Sequence, residues 1–105
     1  MSHRLIYMTA TNRAAAAAIA RQLVEEQLIA CANILDGVLS IYRWEGRIVE
    51  DHEAVMIAKT RTECAPRVIA RIRELHDYTT PCAVAVAITH GDAGFLEWVS
   101  QSCSD

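Results

Sequence analysis

The spacing of apolar and polar positions changes repeatedly along the chain, and each change marks an element. Leu5 to Thr9 (LIYMT) is a short apolar run that predicts a strand. Thr11 or Asn12 can then cap a helix beginning at Arg13. Ala16, Ile19, Ala20, Leu23 and Val24 share one face of that helix, and Arg21, Glu25 and Glu26 take the other. From Cys31 the pattern becomes extended, CANILDGVLSIYRW, interrupted at Asp36-Gly37. The residues beyond the interruption still alternate, so a bulge is expected there rather than a chain reversal. Glu45-Gly46-Arg47 reverses the chain, and Ile48 to Thr60 returns. The acids Glu50, Asp51 and Glu53 mark a solvated section, and AVMIAKT (54–60) is nearly continuous apolar strand.

Thr62 can cap a second helix, with Pro66 in its first turn, where a missing N–H is tolerated. Ala65, Val68, Ile69, Ile72, Leu75 and His76 form its apolar stripe. Pro81 bars continuation, CAVAVAI (82–88) reads as a fourth strand, and Asp92 caps a short last helix with Phe95, Leu96, Trp98 and Val99. The order is βαββαβ plus a short C-terminal helix, an α+β, ferredoxin-like arrangement with a long central β-hairpin. No linker or internal repeat divides residues 1–105, so a single domain is expected.

Two features of this pattern point outside the subunit. Strands covered by helices on one face should alternate, yet LIYM, AVMIA and CAVAVAI are apolar at successive positions. The fourteen residues from Cys31 to Trp44 would span roughly 45 Å at about 3.3 Å per residue. A domain of this size has a radius of gyration of about 13 Å, so the hairpin must overhang. Another copy of the chain is the economical cover for both, with Tyr42 and Trp44 as anchors on a neighbour. The alternative is that these rings fold back on the last helix of their own subunit.

Composition narrows the partners. Ten Lys and Arg stand against thirteen Asp and Glu, without a basic run, which argues against nucleic acid. No apolar stretch is long enough for a signal peptide or a bilayer span, so no membrane role and a cytoplasmic location are expected. The four cysteines are irregularly spaced with no CxxC, and a small buried hydrophobe is the plain reading of each. Nucleophile elbow, HExxH and phosphate-cradling glycine loop are all missing, and four glycines leave little room for the last, so no catalysis is expected.

The segments ACANILDGVLSIYRWEGRIVED (30–51), IAKTR (57–61) and ELHDYTTP (74–81) resemble, in order and spacing, the CutA divalent-cation tolerance proteins. The resemblance implies a ferredoxin-like subunit, a tight homotrimer with an architectural likeness to PII signalling proteins, and an association with tolerance of copper and other divalent cations without an agreed catalytic activity. It also points to Cys31 and His76 as positions matching metal ligands of the family. Two departures stand out. His76-Asp77-Tyr78-Thr79 replaces the common His-Pro-Tyr-Glu, and Met8 stands where some members carry a cysteine.

Thiolate, imidazole and thioether from Cys31, His76 and Met8 suit Cu(I) best among the candidate ions, with Cu(II), zinc and other divalent cations less favoured. Against a metal role, Cys31 can be a packed apolar residue and His76 a satisfied helix end. A second group is Tyr42, Trp44, Glu45, Lys59 and Tyr78. These residues could line a cleft between subunits, either for a small metabolite in a PII-like sensor that docks on a protein partner, or as an ion pair of Lys59 with Glu45 or Glu53 that locks the assembly.

Overall fold

A computed structural model of the chain describes residues 2–104. β1 (His3–Ala10) leads to α1 (Arg13–Glu25), then to β2 (Cys31–Trp44) and β3 (Arg47–Arg61). A 3-10 turn, Thr62–Cys64, enters α2 (Ala65–Leu75), and β4 (Ala83–Ile88) and α3 (Ala93–Ser102) complete the fold. The strands form one antiparallel sheet in the order β2-β3-β1-β4. This is the expected α+β ferredoxin-like order.

Local chemistry sets the boundaries. Asn12, not Thr11, caps α1, its side chain accepting from the Ala15 amide at 2.8 Å. Asp92 caps α3 in the same way through the Phe95 amide at 2.9 Å. Thr62 does not cap α2. Residues 62–64 take a 3-10 turn instead, and Pro66 follows in the first α-helical turn, where it removes no helical hydrogen bond. β4 begins at Ala83, leaving Cys82 in the connection. At the hairpin tip Glu45 and Gly46 have φ of 50° and 76°, two successive left-handed residues that match the twist of a two-residue antiparallel turn.

The expected bulge lies between Leu35 and Val38, with Gly37 at φ 70°. It adds a residue to β2 and changes which numbers face which side. Ahead of it the even residues Ala32 and Ile34 pair with the even positions Ala58 and Met56. Beyond it the odd residues Leu39 and Ile41 pair with His52 and Glu50. The side of the sheet covered by α1 and α2 therefore carries Ile6, Met8 and Ala10 of β1 and Ala54, Met56 and Ala58 of β3, all fully buried. Leu23 of α1, Val68 and Ile72 of α2, and Val99 of α3 close this core.

β1 ends at Ala10, opposite Ala54. The stretch from Val38 to Glu53 continues as a two-stranded arm without β1 beside it. The arm stretches the molecule to 44 × 25 × 21 Å. Leu39, Ile41 and Ile48 lie on one side of the arm and are 50%, 61% and 69% exposed. Leu35, Val84 and Val86 are exposed on the open face of the sheet itself. Both the overhang and the uncovered apolar strand surface thus match the sequence pattern.

Candidate functional site

The sequence offered two groups of residues, and the sheet register separates the first. Met8 is fully buried on the helix-covered face, between Met56 and Ala83. Cys31 pairs with Lys59, and Lys59 with Leu5, on the open face. Adjacent strand positions point to opposite sides, so within one subunit the thiol and the thioether stand on opposite faces of the sheet. His76 follows α2 as its C-cap and binds β1 at Thr9, four residues beyond Leu5. That offset alone places it about 13 Å from the Cys31 row.

His76 is also fully engaged. The Tyr78 amide donates to Nδ1 at 3.0 Å, so the ring proton sits on Nε2, which donates to the Thr9 carbonyl at 2.8 Å. Asp77 Oδ1 lies 3.3 Å from Nδ1, but that nitrogen accepts from the nearer Tyr78 amide, so Asp77 receives no hydrogen bond from the ring. The imidazole has no lone pair free for a metal and clamps the 76–78 segment to the end of β1. Among the described residues no three His, Cys, Asp or Glu side chains are grouped to hold a metal ion. Cys31, His76 and Met8 therefore do not fit a copper ion within one subunit. Cys64 and Cys103 are buried, as expected of small hydrophobes, but Cys31 is half-buried and Cys82 exposed.

The second group divides. Tyr42, Trp44 and Tyr78 line one open cleft of about 750 Å³, together with Tyr7 and Thr9 of β1. Glu45 is in the turn and does not line it. Lys59 lies at the far end of β3, twelve positions from Arg47 opposite Trp44, or about 40 Å of strand. Its ammonium donates to Asn33 Oδ1 and has neither Glu45 nor Glu53 as an ion partner, so the expected lock is not formed within the subunit. The rings of Tyr42 and Trp44 do not fold back on α3. They face their own cleft and keep 41% and 54% exposure.

The sequence reads Glu50, Asp51 and Glu53 as a solvated section, and that reading fails at Glu53. Only 9% of Glu53 is exposed, and its Oε2 accepts from the Tyr78 hydroxyl at 2.8 Å. The Thr11 hydroxyl donates to the same phenol oxygen at 3.3 Å. Burial is the main cause that raises the Tyr78 phenol above its ordinary range. Asp51 accepts from the Tyr42 hydroxyl at 2.6 Å, and this bond pushes the Tyr42 phenol up to about 12. Alternation was the available signal: Asp51 and Glu53 share the parity of Val55 and Ile57, hence the open face.

Comparison with known proteins agrees with this fold. Residues 4–102 match the model of the CutA1 divalent ion tolerance protein family. The chain belongs to that family. The CutA divalent-cation tolerance protein of Thermus thermophilus is 41% identical over 93% of this chain and 95% of its own length. That of Archaeoglobus fulgidus is 40% identical over 95% and 97%. The chloroplastic CutA of Arabidopsis thaliana is 37% identical over 93% of this chain, which spans only 54% of the plant protein. Among solved structures, Thermus thermophilus Cut A1 superposes with a TM-score of 0.94 at 39% identity, covering 97% of this chain and 99% of that one. Oryza sativa CutA1 gives 0.97 at 31% identity, covering 100% and 96%. CutA family membership brings a relation to divalent cations, named for tolerance rather than for a reaction. No described helix of this CutA chain is long and apolar enough to cross a membrane.

Proposed function

We propose that this chain is a non-catalytic, cytoplasmic divalent-cation tolerance protein that works as a homotrimer and engages copper or related divalent ions in that assembled form. The observation that carries the assembly is the arm. A two-stranded ribbon is at best marginally stable by itself, and this one exposes Leu39, Ile41 and Ile48 along one side. Covering these side chains with a second copy removes them from water at about 25 cal/mol per Å². The threefold count comes from the family resemblance. For the metal, Cys31 is the donor that supports the reading best, as a free thiol half-buried on the open sheet face. Met8 and His76 are enclosed in their own subunit, so further donors would have to come from a neighbouring copy.

Sedimentation equilibrium tests the assembly. The expected mass is three subunits for the parent protein and one for an Ile41→Asp, Ile48→Asp variant that keeps its secondary structure. A parent protein that is monomeric at micromolar concentration ends the reading. Titration of reduced protein with Cu(I) against a competing chelator tests the donor. Cys31→Ser is expected to weaken binding at least tenfold, and unchanged affinity removes Cys31 from the site.

A further inference from the structure

Cys64 and Cys103 share one corner of the core, on the helix-covered side of the sheet and at the end remote from the arm. Cys64 closes the 3-10 turn ahead of α2 and is fully buried, and Cys103 is the C-cap of α3 at 7% exposure. Thr60 of β3 lies beside both. Its hydroxyl donates to the Leu28 carbonyl at 2.6 Å, so its oxygen offers a lone pair to the Cys103 thiol at 3.6 Å. Burial, and then the nearby Cys103, push the Cys64 thiol up, while the Thr60 hydroxyl, Arg61 and Arg67 pull it down. The chain after Cys103 closes over the pair. The Ser104 carbonyl accepts from the Cys64 thiol at 3.5 Å and from Arg67 Nη1 at 3.2 Å, and the Ser104 amide donates to the Gln27 carbonyl at 2.9 Å. Arg61 Nη1 reaches the Cys103 carbonyl at 3.5 Å.

We propose that Cys64 and Cys103 form a buried, two-coordinate Cu(I) site closed by the C-terminal residues. Thiolate donors select soft ions such as Cu(I). Two sulfurs satisfy Cu(I), whereas structural zinc takes four ligands, and among the described residues no third His, Cys, Asp or Glu joins the pair. Binding breaks both S–H bonds, releases both protons to water and forms a Cu–S bond to each sulfur. Two thiolates and one Cu(I) leave a single negative charge, which the guanidiniums of Arg61 and Arg67 offset from beside the Cys103 and Ser104 carbonyls. Entry requires Ser104 to lift from Gln27, a local opening near the chain end that costs far less than unfolding. Loading is therefore slow, in contrast to the half-buried Cys31 on the open face. The pair lies beneath helices of its own subunit, so a second copy on the arm or the open face does not cover it. The proposal goes beyond the Cys31 reading and does not rest on it.

The test uses full-length Cys31→Ser, Cys82→Ser protein, in which the buried pair are the only thiols left. Incubated anaerobically with Cu(I) and a competing chelator, it is expected to retain copper in a slow phase. Thiolate-to-copper absorption in the ultraviolet should accompany the uptake, and X-ray absorption should show two sulfur neighbours. Adding Cys64→Ser or Cys103→Ser is expected to abolish the slow phase. Arg67 is exposed, so Arg67→Gln keeps the fold, and it should weaken retention roughly tenfold through the lost neighbouring charge. No copper retained by the Cys31→Ser, Cys82→Ser protein, or equal retention after Cys64→Ser, overturns the proposal. So does a mass loss of two hydrogens in place of copper, which marks a disulfide. None of these failures bears on Cys31, because that thiol is absent from every protein tested.

Discussion

The two halves of β3 live in different surroundings. From Ala54 to Thr60 the strand runs between β1 and β2 under two helices, and most of its residues are buried. From Arg47 to His52 it pairs only with β2 and is almost wholly exposed, although Ile48 and Val49 are as apolar as Val55 and Ile57. Glu53 marks the boundary, the last residue before β1 joins the sheet and the first one to be nine-tenths buried. What differs is the number of layers. The base has a sheet and helices to exclude water from a side chain, whereas the arm has a single ribbon. The same sequence character therefore stabilises the subunit at one end and leaves a surface for association at the other.

Substitutions test whether the two halves behave differently. The largest effect on subunit stability is expected in the base. Ile72→Ala empties a fully buried site between α2 and the sheet and should lower unfolding free energy by about 2–5 kcal/mol in denaturant titrations. A loss no larger than that of an arm variant would mean that the base is not the stabilising half. At the arm tip, Gly46→Ala meets no neighbouring atom within 4 Å, so its cost comes from the backbone at φ 76°. About 1 kcal/mol is expected, seen as faster hydrogen exchange in the arm with the base unchanged. Equal acceleration in both halves would show that they unfold as one unit.

The smallest effect concerns the helices over the base. Arg71 of α2 grips Glu26 at the end of α1 through Nε to Oε1 at 2.9 Å and Nη2 to Oε2 at 2.8 Å. These hydrogen bonds hold the Glu26 carboxyl down at about 2, from an ordinary 4.5. A depressed carboxyl favours the folded state when ionised, so this contribution is complete above about 4.5 and is lost as pH falls through about 2. The parent should melt slightly above Arg71→Met at neutral pH, and the two curves should converge near pH 2. A constant gap across that range would remove the pair as the cause. Being only half-buried, the pair is expected to matter much less than the core.

Much of the base was legible in the residues. Helical stripes, the Pro66 entry and the Asp36-Gly37 interruption depend on near neighbours, and each was placed within a few positions. The overhang followed from strand length alone. The proposed metal donors were harder, because their meeting depends on which strand faces which. Cys31 and Met8 are parted by the parity of β1 and β2 about β3, and no local pattern states that register. His76 reads as a helix-stripe residue, but its two hydrogen bonds depend on the return of the 76–78 segment to Thr9. Glu53 reads as one acid among three until the open face brings Tyr78 across to it.

The order of elements, the bulge, the turn and the surplus of apolar strand surface are written in the residues. These follow from period, capping and the conformational freedom of glycine, which act over a few bonds. That Lys59 meets Asn33 rather than an acid, that Glu53 is buried against a phenol, and that the tyrosines and carboxylates share one cleft emerge only in the folded subunit. Those contacts join residues far apart in the chain, and they form because the antiparallel register brings them onto one face of the sheet.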